Sequence, residues 1–278
     1  MAAAGFDDAL RGAAAKLRSA GVENPVREAR LLAELVVGCD DPRTLSPGEH
    51  RHLDTLVARR ARREPFARIA GVREFWSLDF EVTADTLIPR PDSETLIESC
   101  LDRFGPHPPS RILDLGTGSG CLIVTLLVTW TGSTGIGVDV SERACAVAAR
   151  NLRRHGVGDR AWIMCGDWAG ALDSTFDLVV ANPPYVSGPD LAGLDPEVAL
   201  HEPRLAIDGG ADGYACYRRI VPRLSALLSR DGMAVVEHAP DQRDGLSGLA
   251  SDHGLEVAGT ADDYGGRHRA LLLAHHRP

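Results

Sequence analysis

Asn182-Pro183-Pro184-Tyr185 is the stretch of this chain whose residue types and order could do chemistry. It follows the apolar run from Phe176 to Ala181, so an amide side chain, a backbone stiffened by two prolines and an aromatic ring would stand together at one rim of a sheet. Those groups suit a planar –NH2. The Asn182 side-chain oxygen and the Pro183 carbonyl can each accept one N–H, and the Tyr185 ring can pack on the flat group. Held this way, a conjugated nitrogen is steered toward partial pyramidalisation as it attacks an electrophile in line. No strong base is needed first, because the nitrogen sheds its proton readily once it has been alkylated.

A second stretch supplies the other half of such a reaction. Arg111-Ile112-Leu113-Asp114-Leu115 reads as a buried strand, and Gly116, Gly118 and Gly120 let the chain turn sharply and expose backbone amides at a helix start. The spacing is Gly-x-Gly-x-Gly, whereas Gly-x-Gly-x-x-Gly favours a pyrophosphate, which points to a cofactor without phosphates. The next strand, Gly135-Ile136-Gly137-Val138-Asp139, ends in a carboxylate 19 residues after Gly120, able to bond both hydroxyls of an adenosine ribose. After a third strand, Gly166-Asp167-Trp168 can set a carboxylate and an indole beside an adenine. Gly116, Gly118, Gly120, Asp139 and Trp168 therefore form a candidate site for S-adenosylmethionine. Each has a structural alternative: Asp139 could cap the helix after Ser141, Trp168 could belong to the core, and the glycines could mark a tight turn.

The elements that must position these groups are legible from periodicity. Segments 6–19, 25–38 and 46–63 carry apolar residues at helical spacing, with polar starts and Gly21 or Gly38 near the ends, predicting a small helical domain that ends near Gly71. The run 74–82 alternates and predicts a strand, with 86–88 as its hairpin partner. From Pro89 onward, strands are expected at 111–115, 135–140, 161–166, 176–181, 232–238, 255–259 and 269–274. Helices are expected between them, notably at 92–104, 119–129, 141–154 and 214–229. That alternation implies crossover connections and a mainly parallel α/β sheet covered on both faces. The loop 186–213 holds so many Pro, Gly and Asp residues that no regular structure is expected there; it could close over the acceptor. Pro89-Arg90-Pro91 could line the methionine end of the cofactor site, or Arg90 could pair with a carboxylate.

Composition excludes several classes. The chain has 278 residues, 44% hydrophobic and 25% charged, as in an ordinary globular protein. Met1 to Gly5 lack a basic region leading an apolar core, and no apolar run approaches a membrane span, so a cytoplasmic protein is expected. The six cysteines show no metal-ligand or redox spacing and the histidines no helical metal pair, so no metal site is expected. Of the net charge of −9, the first 70 residues hold 12 basic against 10 acidic groups and the other 208 hold 18 against 29. An acidic catalytic segment is a poor footprint for a phosphate backbone, so no stable nucleic-acid binding is expected. The exception is Arg59, Arg60, Arg62, Arg63 and Arg68, either a solvated helix face or a docking patch for an acidic partner.

Taken over essentially its whole length, the chain resembles the PrmC/HemK family of protein-(glutamine-N5) methyltransferases. The resemblance rests on Glu64-Pro65, Gly71 with Glu74-Phe75-Trp76, Leu87-Ile88-Pro89-Arg90-Pro91-Asp92-Ser93-Glu94, Asp114 to Gly120, Asp139, Asn182 to Tyr185, Glu202-Pro203, Gly209 to Gly213, and Gly266-Arg267-His268-Arg269. It departs from the family pattern at Arg68, Val186 and Asp263 to Gly266. The resemblance implies a Rossmann-like seven-stranded S-adenosylmethionine-dependent domain (89–278), preceded by a small all-α substrate-docking domain (1–71) and a β-hairpin linker (72–88). It implies peptide chain release factors as partners, the acceptor being the glutamine of their Gly-Gly-Gln tip. Cofactor contacts would fall on Gly116 to Gly120, Asp139, Trp168 and Asn182. Glutamine contacts would fall on Asn182, Pro183, Pro184 and Tyr185, with Asn182 and Pro183 catalytic. A monomer is expected.

Three other readings compete. A nucleic-acid amino-methyltransferase would present adenine N6 or guanine N2 to the same tetrapeptide, but needs a basic groove and room for an extruded base. A glutamine methyltransferase of a ribosomal protein shares the chemistry and is disfavoured by the Pro-Arg-Pro-Asp-Ser-Glu block. A silent binding module would have no need of Asn182 together with Asp139 and the glycines.

Overall fold

The protein was analysed as a computed structural model, in which residues 6–38 and 45–276 are described. Cys39 and Met1–Gly5, which entered the readings of cysteine usage and of a leader, lie outside the described residues. The chain divides into two units, Met1–Val72 with Asp195–His201, and Arg73–Leu194 with Glu202–Pro278.

The first unit is helical. It contains α1 (Phe6–Ser19), α2 (Pro25–Val37), α3 (Pro47–Ala61) and the short α4 (Phe66–Ala70). Pro25 and Pro47 open α2 and α3, where a missing N–H costs nothing, and Ser46 and Glu49 cap α3 reciprocally at 3.3 and 2.7 Å. The helices bury Leu17, Leu32, Ala33, Leu53, Leu56 and Val57 in one cluster. Three arginines of the basic run are bound within this unit. Arg59 pairs with Glu64, Arg60 with Glu28 at 3.0 Å and Glu197 at 3.2 Å, and Arg63 with Glu197 at 2.6 Å. Arg60 is buried, so the reading of the run as a solvated helix face is corrected at this position: its guanidinium is held by carboxylates within the unit and not by solvent.

Glu197 stands in the segment expected to be irregular. Within 186–213 the chain instead forms two 3-10 turns, Asp190–Gly193 and Arg204–Ala206, and α8 (Pro196–His201). The prolines that argued against regular structure begin each piece: Pro189 and Pro203 precede the turns and Pro196 opens the helix, positions where a fixed φ is already correct.

A hairpin, β1 (Val72–Phe75) and β2 (Leu78–Glu81), comes next. The sequence reading makes 74–82 one strand partnered by 86–88; the structure folds that run on itself. Trp76 and Ser77 both take positive φ, 52° and 59°, the conformation of a two-residue hairpin turn. Such a turn interrupts the period of two so briefly that alternation cannot reveal it.

The second unit carries α5 (Glu94–Phe104), β3 (Arg111–Leu115), α6 (Cys121–Thr129), β4 (Thr134–Asp139), α7 (Glu142–Arg154), β5 (Ala161–Cys165), β6 (Phe176–Ala181), α9 (Tyr217–Leu227), β7 (Leu228–Glu237), α10 (Arg243–Asp252), β8 (Leu255–Asp262) and β9 (His268–His275). Its seven strands lie in the order β5-β4-β3-β6-β7-β9-β8; all neighbours are parallel except β9, which runs against β7 and β8. Alternate residues feed opposite faces. Ile112, Leu178, Val180 and Val235 join the core that includes α5, α6, Phe75 and Phe80, while Leu113, Val179, Ala181 and Val236 join the core under α9 and α10. Asn151 of α7, fully buried, ties the hairpin to the glycine turn: its amide nitrogen donates to the Glu81 carbonyl at 3.0 Å and to the Ser119 carbonyl at 2.8 Å.

Candidate active site

Parallel register decides which residues meet. Leu115 pairs with Val138 on one side and Ala181 on the other, and Ala181 pairs with Val236. Gly116, Asp139, Asn182 and Glu237 are each one residue beyond these positions, so four loops leave the sheet at one level, with neighbouring strands about 4.8 Å apart. From β3 the chain winds toward β4 on one side and meets β6 on the other, the switch point where open α/β sheets form a crevice.

The glycine turn is built by that placement. Gly116 and Thr117 donate their N–H groups to the Val138 carbonyl at 2.8 and 2.9 Å. Gly116 has a φ of 75°, and a Cβ there would meet the Trp168 ring at 3.2 Å, so only glycine fits both the turn and the indole. Trp168, itself at a φ of 49°, packs on the core under α9 and also lines the cavity, so the two readings of it are not exclusive.

Asp139 faces the turn directly. Its carboxylate accepts the Gly118 N–H at 2.9 Å and the Ser141 N–H at 2.9 Å. A carboxylate has about four acceptor positions, so two remain for hydroxyl donors. The cap of α7 is Ser141, whose hydroxyl accepts the Ala144 N–H at 3.2 Å, so helix capping does not account for Asp139.

Asn182 donates from its side-chain nitrogen to the Ser93 hydroxyl at 3.0 Å, and Ser93 donates to Glu237 at 2.6 Å. Glu237 also accepts from the Tyr185 hydroxyl at 3.3 Å, and Arg269 donates to that hydroxyl at 3.4 Å. Burial pushes the Glu237 carboxyl up to about 7, against the pull of Ser93 and Arg269. Burial likewise lifts Asp114 to about 7, although its other oxygen accepts the Thr117 hydroxyl at 2.6 Å.

One cavity of about 460 Å3 opens onto the glycine turn, Asp139, Trp168, Ser93 and Asn182. Of the residues singled out from sequence, Gly116, Thr117, Gly118, Ser119, Asp139, Trp168, Asn182 and Pro184 line it. Gly120, Pro183 and Tyr185 do not. Gly120 is turned against Ala148 of α7, and Tyr185 directs its hydroxyl inward to Glu237. Arg90 lines the cavity and pairs with the buried Glu202 at 3.0 Å, as the carboxylate-pairing reading of it expects. Sequence reasoning missed Ser93 and Glu237. The available signal was an acid closing the apolar run Ala234-Val235-Val236, the same pattern that marked Asp139.

The volume falls in the range of small-ligand sites, and the donors present fit S-adenosylmethionine: a backbone cradle whose lining arginines, Arg90 and Arg219, are paired with Glu202 and Asp167, a carboxylate with spare acceptor positions, and an indole wall. Among the described residues no group of acids, histidines and cysteines could hold a metal ion, and no helix is long and apolar enough to cross a membrane.

Comparison with known proteins places the chain. Residues 8–71 match the PrmC N-terminal domain and residues 92–194 the methyltransferase small domain. A release factor glutamine methyltransferase of Rhodospirillum rubrum is 44% identical over 267 residues, spanning 92% of this chain and 81% of that protein. One from Cereibacter sphaeroides is 39% identical over 273 residues, spanning 95% and 96%. Among solved structures, the hMettl16 catalytic domain in complex with MAT2A 3′UTR hairpin 6 superposes with a TM-score of 0.59 at 18% identity, over 84% of this chain and 83% of that one. At that identity the likeness is one of fold.

Proposed function

The chain belongs to the family of release factor glutamine methyltransferases, and on that premise we propose that its cavity methylates N5 of the glutamine in the Gly-Gly-Gln motif of a peptide chain release factor. The observation that carries the reading is the register of β3 and β6. With Leu115 beside Ala181, the glycine turn and Asn182 open onto the same cavity.

The glycine turn from Gly116 to Gly120 would hold S-adenosylmethionine, which would supply an electrophilic methyl group with a thioether as the leaving group. Asp139 holds the ribose hydroxyls with its two spare acceptor positions, and Trp168 and Gly116 flank the nucleoside. Asn182 Oδ1 and the Pro183 carbonyl each accept one N–H of the glutamine amide, aiming the nitrogen lone pair at the methyl group. Pro184 walls the acceptor, and Tyr185 fixes the loop through its hydroxyl. Positioning supplies most of the rate, and the methylated nitrogen then releases its proton to water. The three-part division at 1–71, 72–88 and 89–278 is read as substrate docking, linker and catalysis, in a monomer working in the cytoplasm.

The test is incubation with label-carrying S-adenosylmethionine and three acceptors: a release factor, its variant lacking the Gly-Gly-Gln glutamine, and duplex DNA. Label is expected on the first alone. Label on DNA, or equal label on the glutamine variant, overturns the assignment.

A further inference from the structure

We propose that Glu237, acting through the Ser93 hydroxyl, fixes which end of the Asn182 side-chain amide faces the acceptor, making Ser93 and Glu237 positioning residues for the transfer. The inference rests on the reading of Asn182 as the acceptor-binding group.

The argument is a proton count. A serine hydroxyl has one proton and two acceptor lone pairs. Ser93 lies 2.6 Å from Glu237 and 3.0 Å from the Asn182 amide, and both Ser93 and Glu237 are buried, Ser93 at the wall of the cavity. While Glu237 is a carboxylate it can only accept, so the Ser93 proton goes to Glu237. Ser93 can then only accept from Asn182, which puts Nδ2 toward Ser93 and leaves Oδ1 for the acceptor N–H. With Glu237 protonated the order reverses. The carboxyl donates to Ser93, the Ser93 proton is free to meet Asn182 Oδ1, and the amide can turn its own N–H groups toward those of the glutamine. Donor then faces donor, and the grip fails.

The groups facing Glu237 come from five elements. Ser93 and Asp92 stand on the 3-10 turn before α5, Tyr185 on the loop after β6 and Arg269 on β9. Tyr217 of α9 donates to the Glu237 backbone carbonyl at 2.8 Å, and Cys121 opens α6. Burial lifts the Cys121 thiol to about 12 and raises both tyrosines, so these stay neutral while Glu237 itself changes charge near 7. Asp114 changes charge in the same range and must be separated by mutation.

The test uses the full chain with asparagine side chains 15N-labelled, without methyl donor or acceptor. The Nδ2H2 pair of Asn182, assigned by its loss in Asn182→Ala, is followed across neutral pH. It is expected to titrate in the wild type, to lose the titration in Glu237→Gln and Ser93→Ala, and to regain it in Ser93→Thr. In parallel, kcat on a release factor should fall on the order of 10- to 100-fold in Glu237→Gln and Ser93→Ala, with S-adenosylmethionine affinity retained as evidence of folding and with Ser93→Thr restoring the rate. A pH-indifferent Asn182 signal, a titration that survives Ser93→Ala, or an unchanged kcat in both variants overturns the proposal. Absence of label on the release factor alongside the expected Asn182 titration rejects the assigned substrate and leaves the relay standing.

Discussion

Asn182 shares its cavity with the glycine turn but is not part of the turn, and this separates two effects of removing it. Replacing it by alanine deletes one acceptor for the glutamine amide and the donor to Ser93, while the backbone cradle around Gly116 and the Asp139 carboxylate keep their bonds. Asn182→Ala is therefore expected to lower kcat by a factor on the order of 100, with cofactor affinity changed by less than about threefold. Binding calorimetry beside single-turnover kinetics checks this, and equal losses in both would contradict the role given to Asn182. At this scale the sequence exposes residues whose chemistry is unusual for their place, such as a carboxylate closing an apolar strand or an amide before two prolines. Ser93 carries no such mark. It stands between Asp92 and Glu94 at a helix start, where a serine is commonplace, and only its distance to Glu237, 144 residues away, gives it a role.

The hairpin shows what periodicity can and cannot deliver at the scale of an element. Phe75 and Phe80, on opposite faces in an unbroken period of two, pack edge-on at 6.2 Å because the chain turns between them at Trp76 and Ser77, neither favoured at positive φ. Ser77→Gly removes the left-handed cost without touching the buried rings, and is expected to stabilise the protein by about 0.5–1 kcal/mol. A thermal melt that falls or stays level would mean that the Ser77 side chain has a bond outweighing its backbone strain. The loop 186–213 teaches the converse lesson. Its composition is that of a coil, but each proline sits where a short helix begins, and Glu197 finds Arg60 and Arg63. Composition counts residues without regard to position, whereas a proline's effect depends wholly on position.

The whole molecule should show an acid-shifted stability optimum. Asp114 and Glu237, lifted to about 7 by burial, keep their protons in the folded state at pH values where the unfolded chain, with ordinary values of 3.8 and 4.5, has lost them. Stability from these two is present below that range and is lost as pH rises toward 7. Glu64 and Glu81 move the other way, held below 4.5 by hydrogen bonds from Arg59 and Arg150, so their contribution is present above 4.5 and is lost as pH falls through their folded values. The melting temperature is expected to peak near pH 4.5 and to fall from there to about 7, and Glu237→Gln should flatten that descending side. A melting temperature still climbing through pH 7 would show that the two buried carboxyls are not protonated in the folded protein.

The seven strands of the sheet, the glycine turn, Asp139, Trp168 and the Asn-Pro-Pro-Tyr rim were readable in the residues, because each depends on local periodicity or on a residue type required at its own position. The strand order was not readable, nor was the register that sets Gly116, Asp139, Asn182 and Glu237 level with one another. Pairing is decided by which buried faces fit across the sheet, an energy shared among strands far apart in the chain, and no single segment carries it. For the same reason the bonds from Asn182 through Ser93 to Glu237 belong to the tertiary structure alone: three residues with no mutual spacing rule become neighbours only when the sheet and the helix start beside it have closed around them.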